Sequence, residues 1–191
     1  CPCQAVTPAA AACEDAPSNW LLDLHDLPRE SSVGFATGAT LANFACLAAA
    51  RGELLRRVGW DVDANGLFGA PPIRVIIGEE AHASVFSALQ FLGLGYERVI
   101  RSPTDAMGRM QIDAFESAMG QSDQPTMVIA QAGHINTGAF DPILRIAKTA
   151  HRGNAWVHVD GAFGLWARAC PSTALLATGT ETADSWATDG H

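Results

Sequence analysis

Short apolar runs alternate with longer segments of helical period along most of this chain. The run Ile-Arg-Val-Ile-Ile-Gly at 73–78 is rich in β-branched residues, which is typical of a buried strand. The segment from Asn43 carries apolar residues at a helical spacing and stops at Gly59, a residue type that commonly ends helices. The same criteria predict strands at 73–78, 98–101, 126–130, 155–159 and 182–187, and helices at 43–58, 84–92, 112–119 and 142–151.

This alternation predicts an α/β fold with a mostly parallel sheet flanked by helices. Strands joined through helices make crossover connections, which leave neighbouring strands parallel and cover both faces of the sheet. Residues 1–18 are rich in Ala and Pro without a steady period, so we expect a loose N-terminal lead-in, with order beginning near Trp20. Residues 19–191 are expected to form one unit whose ligands lie at the carboxyl ends of its strands.

Composition and charge exclude several classes of partner. Of the 191 residues 48% are hydrophobic, and 12 Lys plus Arg against 20 Asp plus Glu give a net charge of −8. Such a charge repels nucleic acids and anionic lipid surfaces. The most apolar stretch, at 39–50, is shorter than the roughly 20 residues that cross a bilayer. We therefore predict a soluble protein without nucleic-acid or membrane partners.

The cysteines and the absence of several motifs narrow the choice further. Five cysteines are an odd number, none forms a Cys-x-x-Cys pair, and the start of the chain does not resemble a secretory signal. Free thiols and a cytoplasmic location are expected. The sequence also contains no glycine-rich nucleotide loop, no Gly-x-Ser-x-Gly elbow and no His-Glu-x-x-His motif, which removes the commonest nucleotide-binding, hydrolase and protease functions.

A small-residue turn precedes the first long predicted helix. Its sequence, Thr-Gly-Ala-Thr at 37–40, brings hydroxyls and free backbone N–H groups to the positive end of the helix. The turn is either an anion cradle or an ordinary helix cap.

Two more residues are candidates because of where they stand in this pattern. Asp160 ends the apolar strand Trp-Val-His-Val-Asp. It is an ordinary loop acid, a metal ligand together with His158, or the group that keeps a pyridine nitrogen protonated. No third ligand accompanies this pair, so we predict no metal site. His82 lies between a predicted strand and a predicted helix, where it either caps the helix or lays a flat ring over a bound aromatic group.

Taken in this order, the segments resemble the group II pyridoxal-phosphate-dependent amino-acid decarboxylases, the family of the aromatic-amino-acid, glutamate, histidine and cysteine-sulfinate decarboxylases. The resemblance spans roughly residues 20–191. It implies part of the large domain of the aspartate-aminotransferase (type I) fold, with residues 19–191 as a partial cofactor-binding domain. It also implies pyridoxal 5'-phosphate as cofactor, an amino acid as substrate and a homodimer.

The resemblance assigns the cofactor phosphate to the turn before the long helix. Gly38, Ala39 and Thr40 match the family's phosphate turn, although Ala39 replaces a frequent glycine. Asp189 and His191 match the approach to the family's His-Lys pair, in which the His touches the phosphate. Asp189 occupies a position that is often Asn, and because an ionised carboxylate facing phosphate is unfavourable, we expect it to orient His191 instead.

The resemblance places further residues around the cofactor ring. His82 matches the histidine that stacks on the ring and Asp160 the acid that pairs with the ring nitrogen, and these two are the expected catalytic residues. Ala162 matches the small residue under the ring. The element Gln-Ala-Gly-His-Ile-Asn-Thr-Gly-Ala-Phe-Asp matches the family's Gly-Thr-Thr-x-x-Gly-Ala-x-Asp, so Asn136 or Thr137 is expected to supply the polar group near the cofactor.

Decarboxylation of an amino acid, a carboxy-lyase reaction, is the activity that the resemblance implies. The family's cofactor-bonding lysine would follow His191, so we expect these 191 residues to be an incomplete chain that is inactive alone. The residues present serve the cofactor rather than the substrate. That leaves open another reaction on the same fold, such as that of an aminotransferase or a desulfurase, and a non-catalytic scaffold protein derived from the fold.

Overall fold

A computed structural model describes residues 8–120 and 122–190. Its strands form a five-stranded sheet in the order β2-β1-β3-β4-β5, in which every neighbouring pair is parallel. The strands are β1 (Arg74–Gly78), β2 (Ile100–Ser102), β3 (Thr126–Gln131), β4 (Trp156–Asp160) and β5 (Ser185–Ala187). The predicted parallel α/β fold is therefore confirmed.

Six α-helices connect or flank these strands within the described residues. They are α1 (Pro8–Leu24), α2 (Ala39–Arg57), α3 (Val62–Asn65), α4 (Ala83–Phe91), α5 (Ile112–Met119) and α6 (Ile143–Arg152). The predicted bounds of α5 are confirmed, whereas α2 begins at Ala39 rather than at Asn43. The candidate anion turn consequently lies within and just before the first turn of α2.

The structure differs from the expected loose lead-in at residues 8–24, which form α1. Alanine has the strongest helix propensity, and a proline such as Pro8 is tolerated in the first helical turn because its missing N–H is not needed there. Leu22, near the end of α1, is buried and packs with Leu27 and Leu165. Order therefore begins well before Trp20.

The two faces of the sheet are covered by different helices. Ile76, Val128 and Val157 face a cluster that includes side chains of α5 and α6. The alternate positions, such as Ile77 and Met127, pack with the buried stripes of α2 and α4. Because side chains alternate along a strand, the polar residues of β4 point toward α2. Among the described residues, no helix has both the length and the apolar character that a membrane span requires.

Candidate cofactor site

Asp160 lies at the carboxyl end of β4, between the ends of two neighbouring strands. It stands beside Gln131 of β3 and Ala187 of β5 in the sheet register. Its backbone carbonyl accepts a hydrogen bond of 2.9 Å from the N–H of Ala132, and the next residue, Gly161, donates to the carbonyl of Ala187 at 2.8 Å. Asp160 is only 5% exposed, so this edge of the sheet holds its carboxylate in an almost fully buried position.

The surroundings of Asp160 act on its ionisation in opposite directions. Burial raises the pKa of its carboxyl above the ordinary value, because the low-dielectric interior disfavours the charged form. The N–H of Ala162, 3.4 Å from Oδ1, the side-chain amide of Asn43 and the charge of His82 each lower that pKa. The carboxylate therefore gains from any further positive partner that reaches it.

The small-residue turn forms the N-terminus of α2. Gly38, the residue before the helix, has φ +152°, a value that residues with a Cβ rarely adopt. Ala39 begins the helix and has no positive φ, so the alanine that replaces a frequent glycine carries no strain of that kind. The backbone N–H of Ala39 donates to Oδ2 of Asp189 at 3.3 Å. A carboxylate therefore already lies at the positive end of this helix.

Asp189 also connects the helix end to Asp160. Its N–H donates to the carbonyl of Ala162 at 3.3 Å, and the N–H of Ala162 in turn faces Oδ1 of Asp160. The indole of Trp166 donates to the carbonyl of Asp189 at 2.6 Å. The structure thus brings Ala39, Ala162, Asp160 and Asp189 together. His191, which Asp189 was expected to orient, lies outside the described residues.

His82 is both a helix cap and a neighbour of Asp160. Its Nδ1 accepts from the backbone N–H of Ser84 at 3.3 Å and is 2.9 Å from the Ser84 hydroxyl, so it caps α4. The capping hypothesis is confirmed. Its side chain is exposed and close enough to act on the charge of Asp160. An imidazole whose Nδ1 is an acceptor carries its proton on Nε2, so that N–H is available to a ligand.

The two candidates in the loop after β3 make hydrogen bonds within the loops around them. The hydroxyl of Thr137 donates to the carbonyl of Met107 at 2.7 Å, which holds it against the neighbouring loop. Asn136 donates its backbone N–H to Nδ1 of His134 at 3.3 Å, and its residue is exposed. Their expected role near the cofactor stays a prediction.

A buried polar pair, His158 and Asn43, lies next to Asp160 on the side of the sheet that α2 covers. His158 is fully buried, with Nε2 2.8 Å from Oδ1 of Asn43 and Nδ1 2.9 Å from the hydroxyl of Ser185. Both ring nitrogens are therefore engaged, which opposes the idea that His158 and Asp160 share a metal. Within residues 8–120 and 122–190, no cluster of three or more His, Cys, Asp or Glu side chains could hold a metal ion.

The helical spacing of buried residues in α2 is a sequence signal that Asn43 has a polar partner. Asn43 shares that stripe with Leu47, Ala50 and Leu54, all almost fully buried. A polar side chain at a core position needs a hydrogen-bond partner, so the helical spacing alone implies that another element supplies one. It does not say which.

A second buried acid, Asp141, lines the narrow cleft next to Asp160. The cleft, of about 10 Å³, is lined by residues that include Asp160, Gln131 and Asp141. Asp141 accepts from the backbone N–H groups of Met110 and Gln131 at 2.7 and 2.8 Å. Burial nevertheless raises the pKa of Asp141 to about 6. A wider surface depression of about 540 Å³ surrounds the N-terminus of α2.

The comparison with family models and the comparison with individual proteins both find decarboxylases. The model of the pyridoxal-dependent decarboxylase conserved domain matches residues 3–191. The L-2,4-diaminobutyrate decarboxylase of Rhizobium meliloti (strain 1021) is 32% identical over 162 residues, which are 83% of this chain and 30% of that protein. The cysteine sulfinic acid decarboxylase of Homo sapiens is 30% identical over 161 residues, which are 82% of this chain and 32% of that protein.

Solved structures agree with this result. The glutamate decarboxylase domain of the diaminobutyrate-pyruvate transaminase and L-2,4-diaminobutyrate decarboxylase from Vibrio parahaemolyticus is similar, with a TM-score of 0.87 and 28% identity, over 95% of this chain and 41% of that one. Oryza sativa TDC with PLP and tryptamine has a TM-score of 0.81 and 28% identity, over 97% of this chain and 40% of that one. The chain thus spans 30% of the length of the first of these curated relatives.

Proposed function

Because this chain belongs to the pyridoxal-dependent decarboxylase family, we propose that it forms the cofactor-binding part of an enzyme that removes the carboxylate of an amino acid with pyridoxal phosphate. One observation carries the proposal. Asp160 and the N-terminus of α2 are joined through Ala162 and Asp189 by three hydrogen bonds of 3.3 to 3.4 Å. An acid for a ring nitrogen and a positive helix end for a phosphate therefore belong to the same site.

The residues present fit this cofactor. The Ala39 N–H already binds an anionic group, the Asp189 carboxylate, so the helix end is competent to bind a phosphate oxygen. Asp160 is an almost buried carboxylate whose pKa is raised by burial, so a protonated ring nitrogen would be a favourable partner. Gly38, Ala39 and Thr40 would hold the phosphate, with Ala162 under the ring.

The chain's own residues would divide the work as follows. Pyridoxal phosphate, when bound, withdraws electrons from the carbon atom that loses the carboxylate. Asp160 would accept the ring N–H and keep that nitrogen protonated, which would strengthen the withdrawal. His82 would limit the tilt of the ring, and its Nε2 proton would be available for the protonation that has to follow the loss of carbon dioxide.

The remaining assignments are parts of the same proposal. Asn136 or Thr137 supplies a polar contact to the cofactor, Asp189 lies near the phosphate, and His191 touches it. We also propose a homodimer and a cytoplasmic location. The free thiols of Cys13, Cys46 and Cys170 support the location, because thiols stay reduced in the cytosol. The substrate is an amino acid. Relatives of this chain are named as decarboxylases of acidic, diamino, sulfinic and aromatic amino acids, so all four classes enter the test.

Release of carbon dioxide tests the proposed reaction. The full-length product of the gene is supplied with pyridoxal phosphate and with amino acids labelled at the carboxyl carbon, including aspartate, 2,4-diaminobutyrate, cysteine sulfinate and tryptophan. We expect labelled carbon dioxide and the corresponding amine from at least one of them. Formation of a keto acid without carbon dioxide would indicate an aminotransferase, and no conversion despite bound cofactor would indicate a non-catalytic protein.

A further inference from the structure

A line of hydrogen bonds runs from Trp156 through the core of the protein to Asn43. The indole Nε1 of Trp156 is 2.9 Å from the hydroxyl of Ser185, which is 2.9 Å from Nδ1 of His158. Nε2 of His158 is 2.8 Å from Oδ1 of Asn43. His158 and Asn43 are fully buried, and the proposed reaction gives neither of them a role. A polar line of this length in a core has to be explained, because each unsatisfied member destabilises the fold.

Donor and acceptor chemistry fixes the direction of this line. The indole can only donate, so the Ser185 oxygen accepts from Trp156 and its proton is free to go to His158. Burial lowers the pKa of His158 to about 3, so the ring is neutral and carries one proton. The carbonyl oxygen of Asn43 can only accept, so that proton is on Nε2 and is donated to it, which leaves Nδ1 to accept from the Ser185 hydroxyl.

The direction leaves the amide nitrogen of Asn43 as the last donor. Among the described residues, Nδ2 of Asn43 is buried and has no hydrogen bond of ordinary geometry. His158 and Asp160 lie on the face of β4 that α2 covers, which places Asn43 near Asp160, and the Asn43 amide lowers the pKa of that carboxyl. The opposite amide orientation would turn a carbonyl toward the carboxylate and leave the Ser185 proton unplaced, so it is unfavourable.

We propose that Asn43 and His158 are positioning residues for Asp160. The line from Trp156 sets the tautomer of His158, His158 sets the amide of Asn43, and Nδ2 of Asn43 holds the Asp160 carboxylate in the orientation that meets the cofactor's ring nitrogen. This inference rests on the proposed function, because it assigns a purpose to Asp160 only if a ring nitrogen lies opposite. The inference adds Asn43 and His158 to the site as residues that act through Asp160.

Binding of two ligands that differ at the ring nitrogen shows whether Asn43 positions Asp160 or only stabilises the fold. The apo form of the full-length gene product is titrated with pyridoxal phosphate and with its 1-deaza analogue, in which a C–H replaces the ring nitrogen. Only the contact between Asp160 and the nitrogen distinguishes the two ligands. The ratio of their dissociation constants therefore reports on that contact and requires no turnover.

The variant Asn43→Leu removes the donor while keeping a side chain of similar size. We expect the preference for pyridoxal phosphate over the analogue to fall about thirtyfold, since a hydrogen bond to a charged group is worth on the order of 2 kcal/mol. Leu47→Ala, one turn further along α2 and equally buried, is the control for loss of stability. It should keep the wild-type preference although its thermal midpoint falls.

A second variant covers the case in which Asn43→Leu does not fold. Ser185→Ala deletes one oxygen between Trp156 and His158 and frees the His158 tautomer, so a smaller fall in the preference is expected. An unchanged preference in a folded Asn43→Leu protein, or an equal loss in Leu47→Ala, would overturn the inference and leave the proposed function standing. A wild-type protein that binds neither ligand, or both equally, would instead count against the proposed role of Asp160.

Discussion

The carboxylate of Asp189 and the backbone N–H of Ala39 lie 3.3 Å apart, although the two residues are 150 positions apart in the sequence. In the proposed enzyme the cofactor phosphate needs the same N–H. Asp189 therefore forms part of the proposed phosphate site and also competes with the phosphate for this N–H. The balance between these two effects depends on the charge of one side chain.

Removal of that charge should strengthen cofactor binding. Asp189→Asn keeps the size of the side chain but removes the repulsion between carboxylate and phosphate, so we expect the affinity for pyridoxal phosphate to rise roughly three- to tenfold. The gain should shrink at high salt, which screens exposed charges. Asp113→Asn is the control, because it removes one exposed charge from α5. Weaker binding in Asp189→Asn would show that the carboxylate helps to hold the cofactor.

Variants of His82 separate its two functions. Asn is a good helix-capping residue, so His82→Asn should keep the cap of α4, whereas His82→Ala should cost about 1 kcal/mol of stability. Neither variant has a ring to lie over the cofactor. We expect both to lose turnover by about a hundredfold. Thermal unfolding and kcat are measured for both, and a normal kcat in His82→Asn would reduce His82 to a helix cap.

Asp141 should make stability depend on pH. Its folded-state pKa of about 6 lies above the ordinary value of 3.8, so the folded protein binds the extra proton between those values. The folded state is thus favoured at the acidic end, and the contribution of this group is lost as pH rises through about 6, by on the order of 3 kcal/mol.

The matched variant for this prediction is Asp141→Asn, which does not titrate. Its amide can accept only one of the two backbone N–H groups, from Met110 and Gln131, so it should be less stable than the wild type at pH 4. The difference in free energy of unfolding should narrow between pH 4 and 7. Parallel pH profiles for the two proteins would contradict the assigned ionisation of Asp141.

The sequence was sufficient for the fold but only partly for the site. β-branched runs and helical spacing located all five strands, and the parallel order followed from the crossovers. Asp160 was found because it ends a strand. Asn43 was missed as a functional residue, since its partner His158 is 115 positions away and only the packing of α2 on the sheet brings them together. The helix at 8–24 was missed because its alanines give no steady hydrophobic period and its prolines indicated a loose segment.

The role of Asp160 is the central claim, and Asp160→Asn tests it most directly. The variant keeps the shape of the side chain but cannot hold a positive charge on the ring nitrogen. Carbon dioxide release by the full-length gene product is measured for the wild type and the variant, with thermal unfolding as the check on folding. We predict a folded variant whose rate falls by about a thousandfold. A folded Asp160→Asn protein that releases carbon dioxide at the wild-type rate would contradict the account.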